Sequence, residues 1–286
     1  MDDQLMELIS MGFDPEQCQA ALQRTGGNLE QAVNLLLTSP GGIVSSEAPP
    51  QASSVAGDSD SVRMVHATLS QYAVDNGRSA CTCIALKAAG EILTQLTPSP
   101  ISSNSSSAPA PSVAFTDIVT PDLLKMSILG GVEIYNNMKL IDASVEHKSA
   151  EEVLTLGAFP LLRQEGPVMQ GMLSNDANAG LGLNSLVSAS QDETKWTCVV
   201  ITKPPETVLV VLSPSTAATP IFALVDSHPR PQQFGAEQGY ARIHSTLSGL
   251  ILSLNTIFPC TDLGPDIPEL MAAMYNQFDL YRFRRS

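Results

Sequence analysis

Two segments of the chain contain almost nothing that a hydrophobic core could use. Residues 39–62 and 97–112 consist largely of Ser, Pro, Gly and Ala. Such a composition cannot bury enough apolar surface to offset the conformational entropy lost on folding. We therefore expect a flexible linker at 41–62, between a small domain at 1–40 and a larger one at 63–286. The tract at 97–112 is expected to be a disordered insertion on the surface of the larger domain.

The overall composition excludes several classes of protein. The 286 residues are 43% hydrophobic, which suffices for one substantial core and a small satellite domain. No stretch approaches the roughly 20 apolar residues of a membrane helix, and no signal-peptide pattern opens the chain. We therefore expect a cytoplasmic or nuclear protein without a membrane partner. The formal net charge of −14 opposes a phosphate backbone, so nucleic acid is not an expected partner.

The cysteines indicate thiol chemistry more than disulfides or metal binding. There are five, an odd number without framework spacing, which in a reducing compartment favours buried thiols, a nucleophile, or both. Cys81 and Cys83 form the only close pair, and no second Cys/His cluster accompanies them. We therefore expect neither a structural metal nor a cofactor.

In the larger domain, helical periodicity comes first and strand-like runs come later, an order typical of the α+β class. The patterns predict helices at 80–93, 121–134 and 149–156, an antiparallel meander of strands at 197–201, 207–212 and 221–225, a long helix at 241–258, and an edge strand at 279–283. Residues 170–190, rich in Gly, Asn and Ser, are expected to form a loop.

The first forty residues contain three short segments with one apolar face. Each is too short to be a stable helix alone, so they must pack together. Gly12 and the Gly26-Gly27 pair supply the permissive dihedral angles of tight turns between helices. The pattern predicts a three-helix miniature.

This segment resembles the UBA family along its whole length. The resemblance lies in Met11-Gly12-Phe13, Gly27-Asn28-Leu29-Glu30 and Leu36-Leu37. In that family, the loop after the first helix and the end of the third helix grip the apolar patch on ubiquitin. The resemblance thus assigns ubiquitin binding to Met11, Gly12, Phe13, Leu36 and Leu37. The alternative is that Phe13 and Leu36 belong to the core. UBA domains occur on shuttles, kinases, ligases and proteases, so the resemblance implies a partner and not an activity.

Cys81 is the candidate nucleophile because it opens a predicted helix. The first turn of a helix offers a positive dipole end and free N–H groups, which stabilise a thiolate and can hold the oxyanion of a tetrahedral intermediate. Gln71 and Asn76, upstream of Cys81, are candidates for a further oxyanion donor. Cys83 would point roughly 200° away around the helix and pack inside. A buried, inert thiol is the alternative for Cys81.

The candidate base is His228, at the end of a predicted buried strand that closes with Asp226-Ser227-His228. Strand side chains alternate with period two, so Asp226 and His228 share a face. A histidine oriented by a carboxylate is what deprotonates a thiol and protonates a leaving amine. The alternative is a polar turn without chemistry.

The order of these residues resembles the herpesvirus tegument ubiquitin-specific proteases and their cellular relatives, over residues 64–258. That family implies a papain-like cysteine protease domain, with a helix-borne Cys and an antiparallel sheet, that cleaves after the C-terminal Gly-Gly of ubiquitin or polyubiquitin. Transferred to this chain, the nucleophile is Cys81, the base His228, its orienting partner Asp226 and the oxyanion donor Gln71. Two features depart from the family pattern: Gln71 lies ten residues before Cys81, and 97–112 has no counterpart. The alternative function is a non-catalytic ubiquitin-binding adaptor.

Overall fold

The computed structural model of the protein describes residues 5, 15–24, 60–96, 115–141, 148–174, 181–264 and 267–286. The chain divides into two compact units, one of residues 59–262 and 267–286 and the other of residues 1–58 and 263–266. In the N-terminal unit the structure describes helix α1, Pro15–Arg24, in which Cys18 and Leu22 are buried. The segment 97–112 and the five residues assigned to ubiquitin binding lie outside the described residues.

The larger unit is organised around one antiparallel sheet. Its strands are β1 (Val62–His66), β2 (Leu162–Gln164), β3 (Met169–Met172), β4 (Thr197–Lys203), β5 (Glu206–Leu212), β6 (Phe222–Asp226), β7 (Tyr240–His244) and β8 (Gln277–Arg285). Their spatial order is β1-β7-β6-β5-β4-β8-β2, and β3 also pairs with β8. The meander β4-β5-β6 has the antiparallel pairing that the sequence predicted.

Helices connect and cover these strands. They are α2 (Cys81–Leu96), α3 (Phe115–Ile118), α4 (Pro121–Ile141), α5 (Ala150–Thr155), α6 (Leu183–Ala189), α7 (Pro231–Phe234), α8 (Leu247–Ile257) and α9 (Glu269–Asn276). Two 3-10 turns, Gln71–Ala73 and Gly77–Ser79, precede α2. Ser149 and Glu152 form a capping box at the start of α5, as expected for a helix opening there. None of the helices described is long and apolar enough to cross a bilayer.

Both faces of the sheet are buried. In β4, Cys198 and Val200 belong to one apolar core, while Val199 and Ile201 belong to the other. The alternation of side chains along a strand places these pairs on opposite faces. Helices α2 and α4 contribute to the first core, and α6 and α8 to the second. The mixture of helices with an antiparallel sheet confirms the α+β class.

Helices α2 and α4 approach each other closely on the first face. The approach occurs at Gly131 of α4, where an added Cβ would lie 2.5 Å from the Ile84 Cα and 2.6 Å from its backbone nitrogen. The absence of a side chain at Gly131 therefore sets how near α4 lies to the start of α2.

The predicted helix at 241–258 is wrong in its first part. Residues Tyr240–His244 form strand β7, which pairs with β1 on one side and β6 on the other. The helix begins only at Leu247, where the Thr246 side chain accepts a hydrogen bond from the Gly249 N–H as its N-cap. Because β7 is buried on both faces, its apolar residues run on into the helical pattern and conceal the boundary.

Three other predictions need correction. The C-terminal strand is internal, since β8 pairs with β4 on one side and with β2 and β3 on the other. Residues 170–190 are not all loop, because they include the end of β3 and the whole of α6. The expected linker overlaps the sheet by one residue, since β1 begins at Val62. Backbone pairing across the sheet fixes the strands among these segments, and packing in the second core holds α6; local composition reveals neither.

Candidate active site

Asp226 and His228 meet at the end of β6. His228 Nδ1 lies 2.6 Å from Asp226 Oδ1, and the same oxygen accepts the His228 backbone N–H at 2.9 Å. An ionised carboxylate only accepts hydrogen bonds, so Nδ1 carries the hydrogen and Nε2 is left for another partner. Both side chains are buried, with 4% and 0% exposed for His228 and Asp226. The structure thus brings together the pair that the sequence predicted.

Cys81 is the first residue of α2, where the sequence places it. Its side chain lies close enough to His228 to help raise the pKa of the imidazole. The Cys81 thiol donates its hydrogen bond to the carbonyl oxygen of Pro205, 3.6 Å from Sγ. The next residue, Thr82, shares a 3.0 Å hydrogen bond with Thr207 and ties the start of the helix to β5. The first N–H groups of a helix have no partner within it, and Cys81 stands at that end of α2.

The electrostatics of the pair favour a charged imidazolium. Burial by itself would lower the pKa of His228, but the Asp226 charge and hydrogen bond, and then the Cys81 side chain, hold that pKa well above its ordinary value. Burial would likewise raise the pKa of Asp226, yet the Arg230 and His228 charges hold it well below its usual range. Asp226 therefore stays ionised, and the site stabilises a proton on His228.

Two charged residues that the sequence reasoning missed also contact the carboxylate end of this site. Arg230 Nε donates to Asp226 Oδ2 at 2.9 Å, and a second Arg230 nitrogen lies 2.6 Å from Glu206 Oε2. The Tyr240 hydroxyl lies 3.4 Å from the same Asp226 oxygen. Arg230 follows Asp226 by four residues, which was a weak local signal, whereas Glu206 is distant in sequence.

Gln71 is fully buried and its side chain is held at both ends. Its Oε1 accepts the Ser227 hydroxyl at 2.6 Å, and its Nε2 donates to the Arg78 carbonyl at 3.0 Å. The backbone N–H of Gln71 also donates to the Ser227 carbonyl at 3.1 Å. Because an amide nitrogen carries two hydrogens, one more is left to donate. These contacts join the segment before α2 to the loop that carries His228.

Asn76, Cys83 and the other histidines that the structure describes have different surroundings. Asn76 is exposed, with a positive φ of 62° that turns the chain before α2. Cys83 is buried against Met138 at 3.9 Å, and burial raises its pKa to about 12, as suits the inert thiol expected there. His66 lies on β1, and His147 is outside the described residues. His244 ends β7, not a helix, and bonds Asp60.

The site is almost closed to solvent. Cys81 and His228 are only 2% and 3% exposed. The Tyr72 ring, itself half exposed, packs edge-on against the His228 imidazole with centroids 5.9 Å apart. The thiol and the imidazole are therefore both largely shielded from solvent.

The side chains of the site are of the kinds that nucleophilic catalysis uses. A histidine between a carboxylate and a cysteine can supply a base, its orienting partner and a nucleophile. In the described ranges no group of three or more His, Cys, Asp or Glu side chains could hold a metal ion.

Comparison with known families bears on the N-terminal residues. The family model described as the UBA/TS-N domain matches residues 2–36. The N-terminal segment is a UBA domain. No curated protein sequence matches the chain. The match leaves the individual contacts of Met11, Phe13 and Leu36 as predictions.

One solved structure is similar to the chain at low identity. It is the ubiquitin-specific protease encoded by a tegument protein of murine cytomegalovirus, in complex with a ubiquitin-based suicide substrate. The TM-score is 0.49 and the sequence identity 11%, over 78% of this chain and 87% of the viral one.

Proposed function

We propose that the protein is a cysteine deubiquitinase whose nucleophile is Cys81. The observation that carries the proposal is the buried Asp226–His228 pair beside a cysteine at a helix start. That arrangement supplies what thiol acyl transfer requires: a base, a group that orients it, and N–H donors for an oxyanion. The UBA domain supports a ubiquitin-related substrate.

The reaction begins when His228 Nε2 takes the proton of the Cys81 thiol. The thiolate attacks the carbonyl of the terminal glycine of ubiquitin, and the oxyanion accepts hydrogen bonds from the first N–H groups of α2 and from Gln71. The imidazolium gives its proton to the leaving lysine amine, which breaks the amide and leaves a thioester. Water, deprotonated by His228, then releases the carboxylate and restores the thiol.

Burial of the site accounts for the choice of substrate. With Cys81 and His228 at most 3% exposed, a chain with bulky side chains next to the cleaved bond cannot reach Sγ. Two glycines present backbone alone and fit such an entrance. The flexible Gly-Gly end of ubiquitin has this property.

A non-catalytic ubiquitin-binding adaptor is the second candidate. The same burial favours it, since a thiol that is 2% exposed is protected from substrates that cannot open the entrance. In that case the Asp226–His228–Cys81 contacts would only hold β6 to α2.

A ubiquitin with an electrophile at its C-terminus separates the two candidates. The full chain, Cys81→Ala and Cys83→Ala are each incubated with this probe and analysed by intact mass. Cys83 is the matched control because it is also buried and lies two residues further on the same helix. We expect a ubiquitin-sized adduct on the wild type and on Cys83→Ala, and none on Cys81→Ala. An unlabelled wild type with an intact thermal unfolding transition would favour the adaptor.

A further inference from the structure

The second oxygen of Asp226 is hydrogen-bonded to a cationic side chain, that of Arg230. Asp226 Oδ1 serves His228, whereas Oδ2 accepts a hydrogen bond from Arg230 Nε at 2.9 Å. The Arg230 side chain is 11% exposed and that of Asp226 is 0% exposed. A carboxylate–guanidinium contact shielded from water in this way is much stronger than one on the surface.

The same guanidinium also reaches the turn that faces the nucleophile. An Arg230 terminal nitrogen lies 2.6 Å from Glu206 Oε2. Glu206 directly follows Pro205, whose carbonyl oxygen is 3.6 Å from Cys81 Sγ. The contacts thus form a closed circuit, from Cys81 through the β4–β5 turn to Arg230, on to Asp226, and back through His228 to Cys81.

We propose that Arg230 is a positioning residue of the site: it shares the Asp226 carboxylate with His228 and, through Glu206, holds the β4–β5 turn against Cys81. Lysine cannot replace it fully, because its single ammonium lacks the planar fork that reaches two carboxylates at once. This proposal rests on the proposed function for its kinetic consequences only.

The charged and titratable groups around the site determine how Arg230 acts. Those facing His228 are Asp226, Cys81, Glu206 and Tyr72; those facing Asp226 are His228, Arg230 and Tyr240. The guanidinium offsets part of the negative charge of Asp226, so it limits how strongly that charge retains the proton of the imidazolium. Without it, His228 would give up its proton less readily to a leaving amine and would stay protonated to a higher pH.

Three variants of the full chain distinguish the effect of the Arg230 charge from the effect of its geometry. For each variant, kcat/KM for a ubiquitin reporter is measured as a function of pH. In Arg230→Met the alkaline limb, where His228 loses its proton, should move up by about one pH unit. In Glu206→Gln, which removes a negative charge facing His228, the limb should move down or stay. In Arg230→Lys the limb should stay, while kcat falls about tenfold because the turn loses its second contact. A residue that only stabilised the fold would lower activity without moving the limb.

A measurement that does not depend on activity tests the same proposal. His228 is titrated by NMR of its imidazole in Cys81→Ala and in Cys81→Ala with Arg230→Met, after thermal unfolding shows that both are folded. We expect a higher titration midpoint in the double variant; Arg230→Lys in the same background, which keeps the charge, should retain the midpoint of Cys81→Ala. An unchanged or lower midpoint in the double variant overturns the proposal. An inactive wild type would overturn the proposed function alone, since the titration would still report whether Arg230 and His228 share Asp226.

Discussion

Replacing Gly131 by alanine should separate Cys81, the proposed nucleophile, from His228, its proposed base. The new Cβ would lie 2.5 Å from the Ile84 Cα, about 1 Å inside the ordinary carbon–carbon contact of about 3.5 Å. The obstacle is helix backbone, so α2 must move as a body, and Ile84 lies only three residues after Cys81. Overpacking of this kind costs about 1–3 kcal/mol, and a displacement of about 1 Å at a reacting group can cost about a hundredfold in rate.

The neighbouring glycine provides the control. An alanine Cβ at position 130 would have the Lys87 side chain as its nearest neighbour, with Cε at 3.0 Å, and that flexible chain can turn away. Both substitutions gain about 0.5–1 kcal/mol of helix propensity. We expect urea unfolding to show Gly130→Ala at or above wild-type stability and Gly131→Ala below it, with slower ubiquitin-reporter cleavage in Gly131→Ala alone. Equal unfolding midpoints for the two variants would refute the close approach of α2 and α4.

The buried serines and Asp60 give further tests by urea unfolding. Ser127 Oγ has no hydrogen-bond partner in the described part of the chain, whereas Ser253 Oγ lies 3.0 Å from His244 Nε2. The free energy of unfolding of Ser127→Ala should equal that of the wild type or exceed it by about 1 kcal/mol. That of Ser253→Ala should be lower by about 1–3 kcal/mol. The reverse order would contradict this difference in hydrogen bonding between the two serines. Asp60 accepts hydrogen bonds from the β7–α8 turn and lies 2.7 Å from His244 Nδ1, so Asp60→Asn should cost about 1.5–3 kcal/mol. The exposed Asp75→Asn should cost nothing, and equal costs would contradict an anchoring role for Asp60.

The parts of the fold that the sequence predicts are those in which the determining contacts are local. The start of α2 follows from the apolar periodicity of 80–93, and the meander from three β-rich runs separated by Pro204-Pro205 and by a gap that opens with Ser213-Pro214. The Asp226–His228 contact was also accessible because it is local, although not for the reason predicted. Strand β6 ends at Asp226, and the contact forms in the turn that follows, where Asp226 Oδ1 accepts the His228 backbone N–H. The predicted nucleophile and base therefore needed only that α2 and β6 meet.

What the sequence does not reveal depends on pairing between distant segments. The sequence of β7 predicts a helix, and only its pairing with β1 and β6 identifies it as a strand. The sequence of β8 predicts an edge strand, and only its pairing with β2 and β3 shows that it is internal. The bridge from Arg230 to Glu206 spans 24 residues and has no local pattern. These features come from tertiary structure, which overrides propensity.

A second carboxylate–histidine pair shows why such a pair is not by itself a catalytic site. His244 has Asp60 at Nδ1 and the Ser253 hydroxyl at Nε2, in the order of a serine hydrolase triad. Yet burial lowers the pKa of His244 despite Asp60, so the fold favours the neutral ring and this contribution to stability is lost as the pH falls below about 6.5. The Asp60 side chain is 22% exposed, so water screens its charge.

The pair at His228 differs in both respects. The Asp226 side chain is 0% exposed and holds the pKa of His228 up, so its contribution to stability is present below about pH 6.5 and lost as the pH rises through the raised value. The third residue beside this pair, Cys81, also begins a helix, whereas Ser253 lies within α8. There the backbone N–H groups are already hydrogen-bonded within the helix. An unscreened carboxylate and a helix start thus distinguish the site of Cys81 from an internal hydrogen-bond chain of the same residue types.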